Sequence, residues 1–430
     1  MEQLKFKVLV LFLIAFQVII SQNKGFDNMR KSFVEGYTTL QIPYLQIDYI
    51  QNLQTIKDVN QVNKQERFFQ EFKNKLTIVD LNTLSEYQKL DFYIMTYEIE
   101  INLERLLLEK YWDRTTVLDN AKGVFTIPNG KKWYTYLLKR WVNDKVTPDE
   151  IFQFGLEEIE KVKAEMKTLQ EQSGLSEKAF AAHLNDTSFF FHNVKDVKKA
   201  YEKVKLEVAK KTSEIFPYIK AIPNVNITRG TNEALVHAPA YYNNGTFYFN
   251  YFDKPYNKRQ LDWIYIHEGI PGHHYQIMVN NVIKRTQIQQ LFWYLGFVEG
   301  WGAYVEYLGK DLGVYRTIYD EYGKWEWDLI RSVRVALDVG INYYGWTDDK
   351  AISFWKKYIA NQDDIGLREI ARMKRWPAQV VTYKYGANAI LKLLEEAKKH
   401  PNFEYHAFHK KILMHGDIPI TILVNHISVQ

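Results

Sequence analysis

His267-Glu268-Gly269-Ile270-Pro271-Gly272-His273-His274 sets three imidazoles beside a carboxylate, and Glu299-Gly300-Trp301 adds a second carboxylate 25 residues after His274. These residue types suit a catalytic zinc site, which takes three protein ligands, commonly two His and one Glu, and leaves the fourth position to water. A single zinc ion lowers the pKa of its water toward neutrality while a nearby Glu acts as general base during attack on a carbonyl. Glu268 is the candidate base, and the expected chemistry is hydrolysis, with a peptide as substrate.

The spacing departs from the usual motif, in which two His four residues apart share a helical face with Glu beside the first. Position i+4 from His267 is Pro271, which cannot ligate; His273 stands at i+6 and His274 at i+7. An unbroken helix returns i+7 to the same face but about 10 Å along the axis, a long reach for one small ion. Proline inside a helix breaks or kinks it, and a bulge at Pro271-Gly272 would bring His273 onto the metal. The favoured ligands are therefore His267, His273 and Glu299, with His274 beside the metal or touching substrate; the reverse assignment of His273 and His274 stays open. Glu306, two turns after Glu299 on the same face, is the alternative carboxylate, and whichever does not ligate would orient a His. His237, before Pro239, reads as structural.

With the metal motif in view, the chain resembles the bacterial domain-of-unknown-function family 885, whose HExxPGHH and downstream EGW are taken as zinc-metallopeptidase-like. The likeness extends to Ala238–Tyr242 and Phe247–Asn250, to Glu299–Glu306, to Arg331–Gly340, to Gly345–Thr347, and to Arg372 with Pro377–Gly386. These segments run in order from about residue 230 to the end; the first 230 residues match only in being helical, and the chain is shorter than typical members. The resemblance implies a mainly helical zinc-metallopeptidase-like fold with a small β-hairpin or sheet beside the zinc helix. It also implies carboxypeptidase or dipeptidyl-carboxypeptidase activity on short peptides. Within the matching Thr382-Tyr383-Lys384-Tyr385-Gly386 segment, Tyr383 is the candidate donor to the carbonyl oxygen as negative charge develops there. Asn250, Arg334, Arg372, Lys384 and Tyr385 are the candidate substrate contacts. An Arg fork binds a carboxylate bidentately, although Arg334 is also placed to pair with Asp338 at i,i+4.

Composition narrows the alternatives. The 430 residues hold 56 basic and 51 acidic side chains, a net charge of +5, without the concentrated basic face that a nucleic-acid partner needs. No cysteine is present, so disulfides, thiolate ligands and a Cys nucleophile are excluded and any zinc must rest on His and carboxylate. Residues 1–22 read as a signal peptide: Lys5 and Lys7 precede a 13-residue apolar run, Val8 to Ile20, broken by Gln17. Such a run is too short for a comfortable membrane span, so no stable span is expected once it is removed. An uncleaved anchor is the alternative. The catalytic part is expected to be exported, periplasmic or secreted. The sequons at Asn185, Asn226 and Asn244 matter only in a eukaryotic secretory pathway. The sequence carries no mark of an oligomeric state.

The elements that must position the site are mostly helices. Thr147-Pro148-Asp149-Glu150 is a helix start with a capping box, and Ile151, Phe152, Leu156, Ile159, Val162, Met166 and Leu169 repeat at helical spacing until Gly174. Asp196 opens a second helix with a solvated lysine face, and Thr347-Asp348-Asp349 caps a third. Asn243-Asn244-Gly245 predicts a turn, and Thr246 to Phe252 a strand whose exposed edge would hold an extended peptide beside the metal, or whose aromatic residues pack in the core. The expected division is a helical region over 23–220 and a zinc-site region over 221–430, as one continuous two-lobed body with its boundary near Pro217 to Gly230. Two further functions remain compatible with these residues: a non-catalytic zinc- or peptide-binding protein, and a zinc hydrolase of a non-peptide amide or ester. Retention of Glu268 favours catalysis, since storage of a metal has no use for a base.

Overall fold

The computed structural model describes residues 24–427 apart from His237 and Asp253; the expected leader over 1–22 and the reading of His237 as structural lie outside the described residues. The chain is mainly helical with two small sheets. Its described residues divide into two compact units, one formed by 24–117 with Arg285–Trp293, the other by Leu118–Lys284 and 294–427.

The first unit contains α1 (24–39), α2 (Tyr49–Gln54), α3 (Val59–Leu76), α4 (Glu86–Lys110) and the short α11 (Gln287–Gln290). Phe33 of α1 meets Phe72 of α3 edge-on at 5.1 Å, and Tyr37 meets Phe292 at 5.1 Å, so aromatic burial joins the returning segment to the helices. Thr286 does two jobs there. Its hydroxyl donates to the buried Asp91 at 2.6 Å and accepts from the Gln289 amide, capping α11.

The second unit holds α5 (Gly130–Trp141), α6 (Pro148–Gln172), α7 (Glu177–Leu184), α8 (Val194–Ile215), α9 (Leu261–Glu268), α10 (His273–Val282), α12 (Leu295–Val305) and α13 (Ile318–Asn342), followed by α14 (Asp348–Tyr358), α15 (Asp363–Arg375), α16 (Val381–Lys398), α17 (Tyr405–Leu413) and α18 (Ile420–His426). α6 starts as its sequence predicts: the Thr147 hydroxyl accepts from the Glu150 amide while the Glu150 carboxylate accepts from the Thr147 amide at 2.8 Å. Thr347 caps α14. α8 opens slightly earlier than expected, because Asn193 takes the capping position and accepts from the Asp196 amide at 2.9 Å. The division expected near residue 220 falls at Val117/Leu118 instead. α6 packs along α13, and α8 packs under the sheet that precedes α9, so residues 118–220 are part of the body that carries the candidate site.

That sheet has the order β2-β4-β3, from Asn226–Arg229, Thr246–Phe249 and Ala240–Asn243. β1 (Phe190–Phe191) and β5 (Tyr256–Asn257) form a separate antiparallel pair. β3 and β4 are an antiparallel hairpin whose turn places Asn244 at φ 44° and Gly245 at φ 79°, the left-handed pair that an Asn-Gly turn supplies. β4 bonds parallel to β2 on its other side, so it is central and presents no edge for a peptide; the edges belong to β2 and β3. Phe247 and Phe249 are fully buried, with Tyr201 of α8 4.6 and 5.8 Å away. Phe247 and Phe249 of β4 are core, while Tyr248 is half-buried and stacks on Tyr241 at 4.9 Å.

Candidate metal centre

α9 ends at Glu268, where the Gly269 amide closes the last turn on the Tyr265 carbonyl at 2.7 Å. Pro271 has no amide to continue the ladder, and a new helix begins at His273. Gly272 makes the junction tight, because a Cβ there would stand 1.9 Å from the His267 carbonyl oxygen. The two imidazoles of His267 and His273 consequently lie nearly perpendicular with ring centroids 4.6 Å apart. α12 crosses them at Gly302, whose missing side chain makes room: a Cβ would approach the Cε1 atoms of His267 and His273 to 2.8 and 3.0 Å.

One turn earlier on α12, Glu299 places Oε2 3.4 Å from His273 Nε2. Donor atoms of His267, His273 and Glu299 all lie within 4.8 Å of one another, the one such group among the described residues. Two ligand atoms bound about 2.0–2.1 Å from a tetrahedral zinc are about 3.3–3.4 Å apart, so the His273–Glu299 pair already has ligand spacing. His267 Nδ1 is held by Glu306 Oε1 at 2.6 Å, which leaves Nε2 for a metal. His273 Nδ1 is buried with no hydrogen-bond partner, so this ring is not fully satisfied by protein alone. The donor set and its spacing fit zinc.

Charge is balanced tightly around these groups. Burial pushes Glu299 up, but the His273 contact and the charges of His273, His267 and Arg372 hold it below the usual carboxylate range. Burial pushes His273 down, yet Glu299 and the charge of Glu268 lift it above its ordinary value. Glu306 is fully buried; burial raises it, while the Arg331 guanidinium at 2.5 Å and the His267 bond bring it below its ordinary value. Glu306 thus bridges His267 to Arg331 and orients the imidazole, as carboxylates behind metal-binding His do. Glu268 is half-buried beside His267, and among the described residues no hydrogen bond or ion pair occupies its carboxylate.

His274 faces away from this group. Its Nε2–H donates to the Pro223 carbonyl at 2.7 Å, and Nδ1 meets the Tyr242 hydroxyl at 3.2 Å, so both nitrogens are engaged against the segment before the sheet and the sheet itself. Burial lowers its pKa, in keeping with a neutral ring.

Tyr383, on α16, lies at the centre. α16 approaches α12 through Gly386 against Gly300, where a Cβ at Gly300 would come 2.6 Å from the Gly386 Cα. The Tyr383 ring stacks on His267 at 6.3 Å with 19° between planes. Its hydroxyl accepts from Gln379 Nε2 at 3.2 Å and Arg372 Nη2 at 3.4 Å, leaving its own proton free to donate. Burial, with the nearby Glu299 charge, raises its pKa and keeps it protonated.

The other candidate contacts divide. Arg372 lies at the site, bonded to Gln379 Oε1 at 2.7 Å. Arg334 is buried and pairs with Glu369 at 2.9 Å rather than with Asp338. Asp338 instead accepts from the Tyr134 hydroxyl and the Ala378 amide, both at 2.8 Å, and from Asn342. Lys384 is buried and held by Asp328 at 2.9 Å and Glu158 at 3.1 Å, tying α16 to α13 and α6; it does not face substrate. Tyr385, two residues along α16, accepts from Asn143 Nδ2 at 3.0 Å and packs on Phe154, away from the metal ligands. Asn250 donates to the Leu235 and Ala238 carbonyls at 2.6 Å and pins that loop to the sheet. Sequence reading passed over Arg331, Gln379, Arg368 and Glu369. Gln379 stood one helical turn before Tyr383 and Arg331 within a family-like segment, while on α15 Arg372 alone had been singled out.

The family model described as "Bacterial protein of unknown function (DUF885)" matches residues 107–427, beginning well upstream of residue 230 where the resemblance had been placed. A solved structure from Colwellia psychrerythraea, provisionally described as a lipoprotein, superposes with a TM-score of 0.64 at 23% identity over 84% of this chain and 66% of its own. The present chain therefore spans about two thirds of that protein's length. A provisionally described lipoprotein of unknown function from Shewanella oneidensis gives a TM-score of 0.67 at 15% identity, covering 94% of this chain and 98% of its own. These likenesses show a shared fold. No curated protein matches the chain.

Proposed function

The chain belongs to the bacterial DUF885 family, and from that premise we propose that it is a zinc-dependent metallohydrolase acting on short peptides. The observation that carries this reading is the convergence of His267, His273 and Glu299 within 4.8 Å, with the unoccupied carboxylate of Glu268 next to it. A zinc ion held by those three residues would supply Lewis-acid activation of a water and of the scissile carbonyl. Glu306, braced by Arg331, holds the His267 ring in the orientation that leaves Nε2 free. Glu268 takes the proton of the attacking water and delivers it to the leaving amine. The Tyr383 hydroxyl donates a hydrogen bond to the carbonyl oxygen as charge develops there, keeping its proton, and Gln379 and Arg372 fix the direction of that donation. The apolar run behind Lys5 and Lys7 supports export to the periplasm or beyond. No helix among the described residues is long and apolar enough to cross a membrane.

The test is to quantify metal in the purified mature protein and to follow a mixed short-peptide library by mass spectrometry, with Glu268→Gln as control. One zinc per chain, with cleavage lost in the variant while zinc stays, supports the peptidase. Zinc without cleavage turns the reading to a non-peptide amide or ester, or to binding alone. A protein that takes up no zinc refutes the site.

A further inference from the structure

α15 carries Arg368 and Arg372 at i,i+4, on one helical face, and Glu369 beside them is buried at its junction with α13. Three guanidinium groups converge on that one carboxylate: Arg334 at 2.9 Å, Arg372 at 3.6 Å and Arg368 at 4.0 Å. Three positive charges against one negative leave two without a close counter-charge. The other acids nearby offset this excess only in part: Asp338 accepts its hydrogen bonds elsewhere, Asp364 attracts Arg368 from an exposed position where solvent screens it, and Glu299, whose charge acts on Arg372, belongs to the candidate metal ligands. Arg331 is already matched by Glu306. The excess cation has a direction. Arg334 is buried beneath, whereas the Arg372 and Arg368 side chains keep 23% and 31% exposure and can be reached from solvent. Arg372 Nε is itself buried without a hydrogen-bond partner.

We infer that Arg372 and Arg368 bind a carboxylate of the substrate, namely the free C-terminus, so that peptides are trimmed from that end; this rests on the peptidase reading above. A guanidinium fork matches a carboxylate with two parallel hydrogen bonds and therefore reads position as well as charge. Arg372 Nη2 lies 3.4 Å from the Tyr383 hydroxyl, and Tyr383 stacks on His267, so the carboxylate-binding groups adjoin the group that receives the scissile carbonyl. A substrate anchored there presents a bond near its C-terminus to the metal ligands. Lys384 has no part in this, because Asp328 and Glu158 neutralise it.

Three peptides of one sequence test the inference on the zinc-loaded mature protein: a free acid, its C-terminal amide, and an amide with glutamate at the last position. The expected result is that the acid is cleaved with kcat/KM about 10- to 100-fold above the plain amide, the range for loss of a charged hydrogen-bond partner. Arg368→Gln and Arg372→Gln should each shrink that ratio through KM, with zinc content unchanged, and Lys at either position should restore part of it. Equal cleavage of acid and plain amide by the wild type overturns the inference and leaves the peptidase standing. Cleavage of the glutamate amide at the rate of the acid overturns the C-terminal assignment in favour of an acidic side chain. Should none of the three be cleaved, calorimetric binding to zinc-loaded Glu268→Gln decides: tighter binding of the acid supports carboxylate recognition even as the peptidase reading fails, and equal binding overturns both.

Discussion

Gly302→Ala is the sharpest perturbation of the proposed centre, because it adds one methyl group and removes no polar atom. The new Cβ would stand 2.8 Å from His267 Cε1 and 3.0 Å from His273 Cε1, where ordinary contact begins at 3.4 Å, so the rings must yield by 0.6 and 0.4 Å. His267 cannot swing aside freely, since Glu306 grips Nδ1 at 2.6 Å. Ligand positions in a working site are held to within about 0.2 Å, so a displacement of this size should weaken zinc binding at least as much as loss of an orienting partner does. That loss is about 10- to 100-fold, or about 1.4–2.8 kcal/mol. The metal-free protein should respond much less, because Ala gains about 1 kcal/mol of helix propensity over Gly against an overpacking cost of about 1–3 kcal/mol. Zinc affinity by chelator competition, and thermal unfolding with zinc and with chelator, separate the two effects. A zinc affinity within twofold of wild type, with an undiminished thermal shift on adding zinc, would refute the assignment of both rings to one ion.

Other outcomes follow from the same geometry. Glu306→Gln removes the charge that orients His267 and balances Arg331; zinc affinity should fall about 10- to 100-fold, measured by the same competition. Tyr383→Phe should lower kcat by about 100- to 1,000-fold, the usual cost of one oxyanion donor, with zinc content and KM little changed in steady-state assays. Asp338 is pushed up to about 7 by burial, above its unfolded value of 3.8. Between pH 4 and 7 the native state therefore holds more protons than the unfolded state, and this group's contribution to stability, full below pH 4, declines as pH rises, by up to about 1.4 kcal/mol per unit. Denaturant unfolding of wild type and Asp338→Asn across that range should show the wild type losing ground to the variant as pH increases; a constant difference would count against it.

Local chemistry was legible in the sequence, and tertiary partnership was not. Thr147 and Thr347 cap their helices as read because a cap depends on neighbours three residues away. Pro271-Gly272 announced a broken helix, but the direction of the second helix decides which of His273 and His274 turns inward. That direction depends on how closely Gly272 approaches His267 and Gly302 approaches both rings. Glu299 lies on α12 and Glu306 in the turn that follows it, and their roles separate because Arg331, from another helix, captures Glu306. Arg334 had a partner at helical spacing in Asp338, yet Glu369 of α15 took it once the helices packed. The β-branched and aromatic run Thr246 to Phe252 showed a strand, which ends at Phe249, but not that β2 would pair with it and close the edge expected to hold a peptide.

The route of the chain through the two units couples them covalently. Between His273 and Glu299 the backbone leaves the unit that carries both residues, contributes Arg285–Trp293 to the other, and returns at Tyr294. A single cut cannot separate the units, and the 24–117 body cannot be deleted without stranding Phe292 and Thr286, which are buried or bonded against it. If that body melts, the span joining the second and third candidate ligands becomes a longer free tether, and the entropy of closing it grows. If the proposed centre holds zinc, its affinity would then report on order in a part of the protein that contributes no candidate ligand.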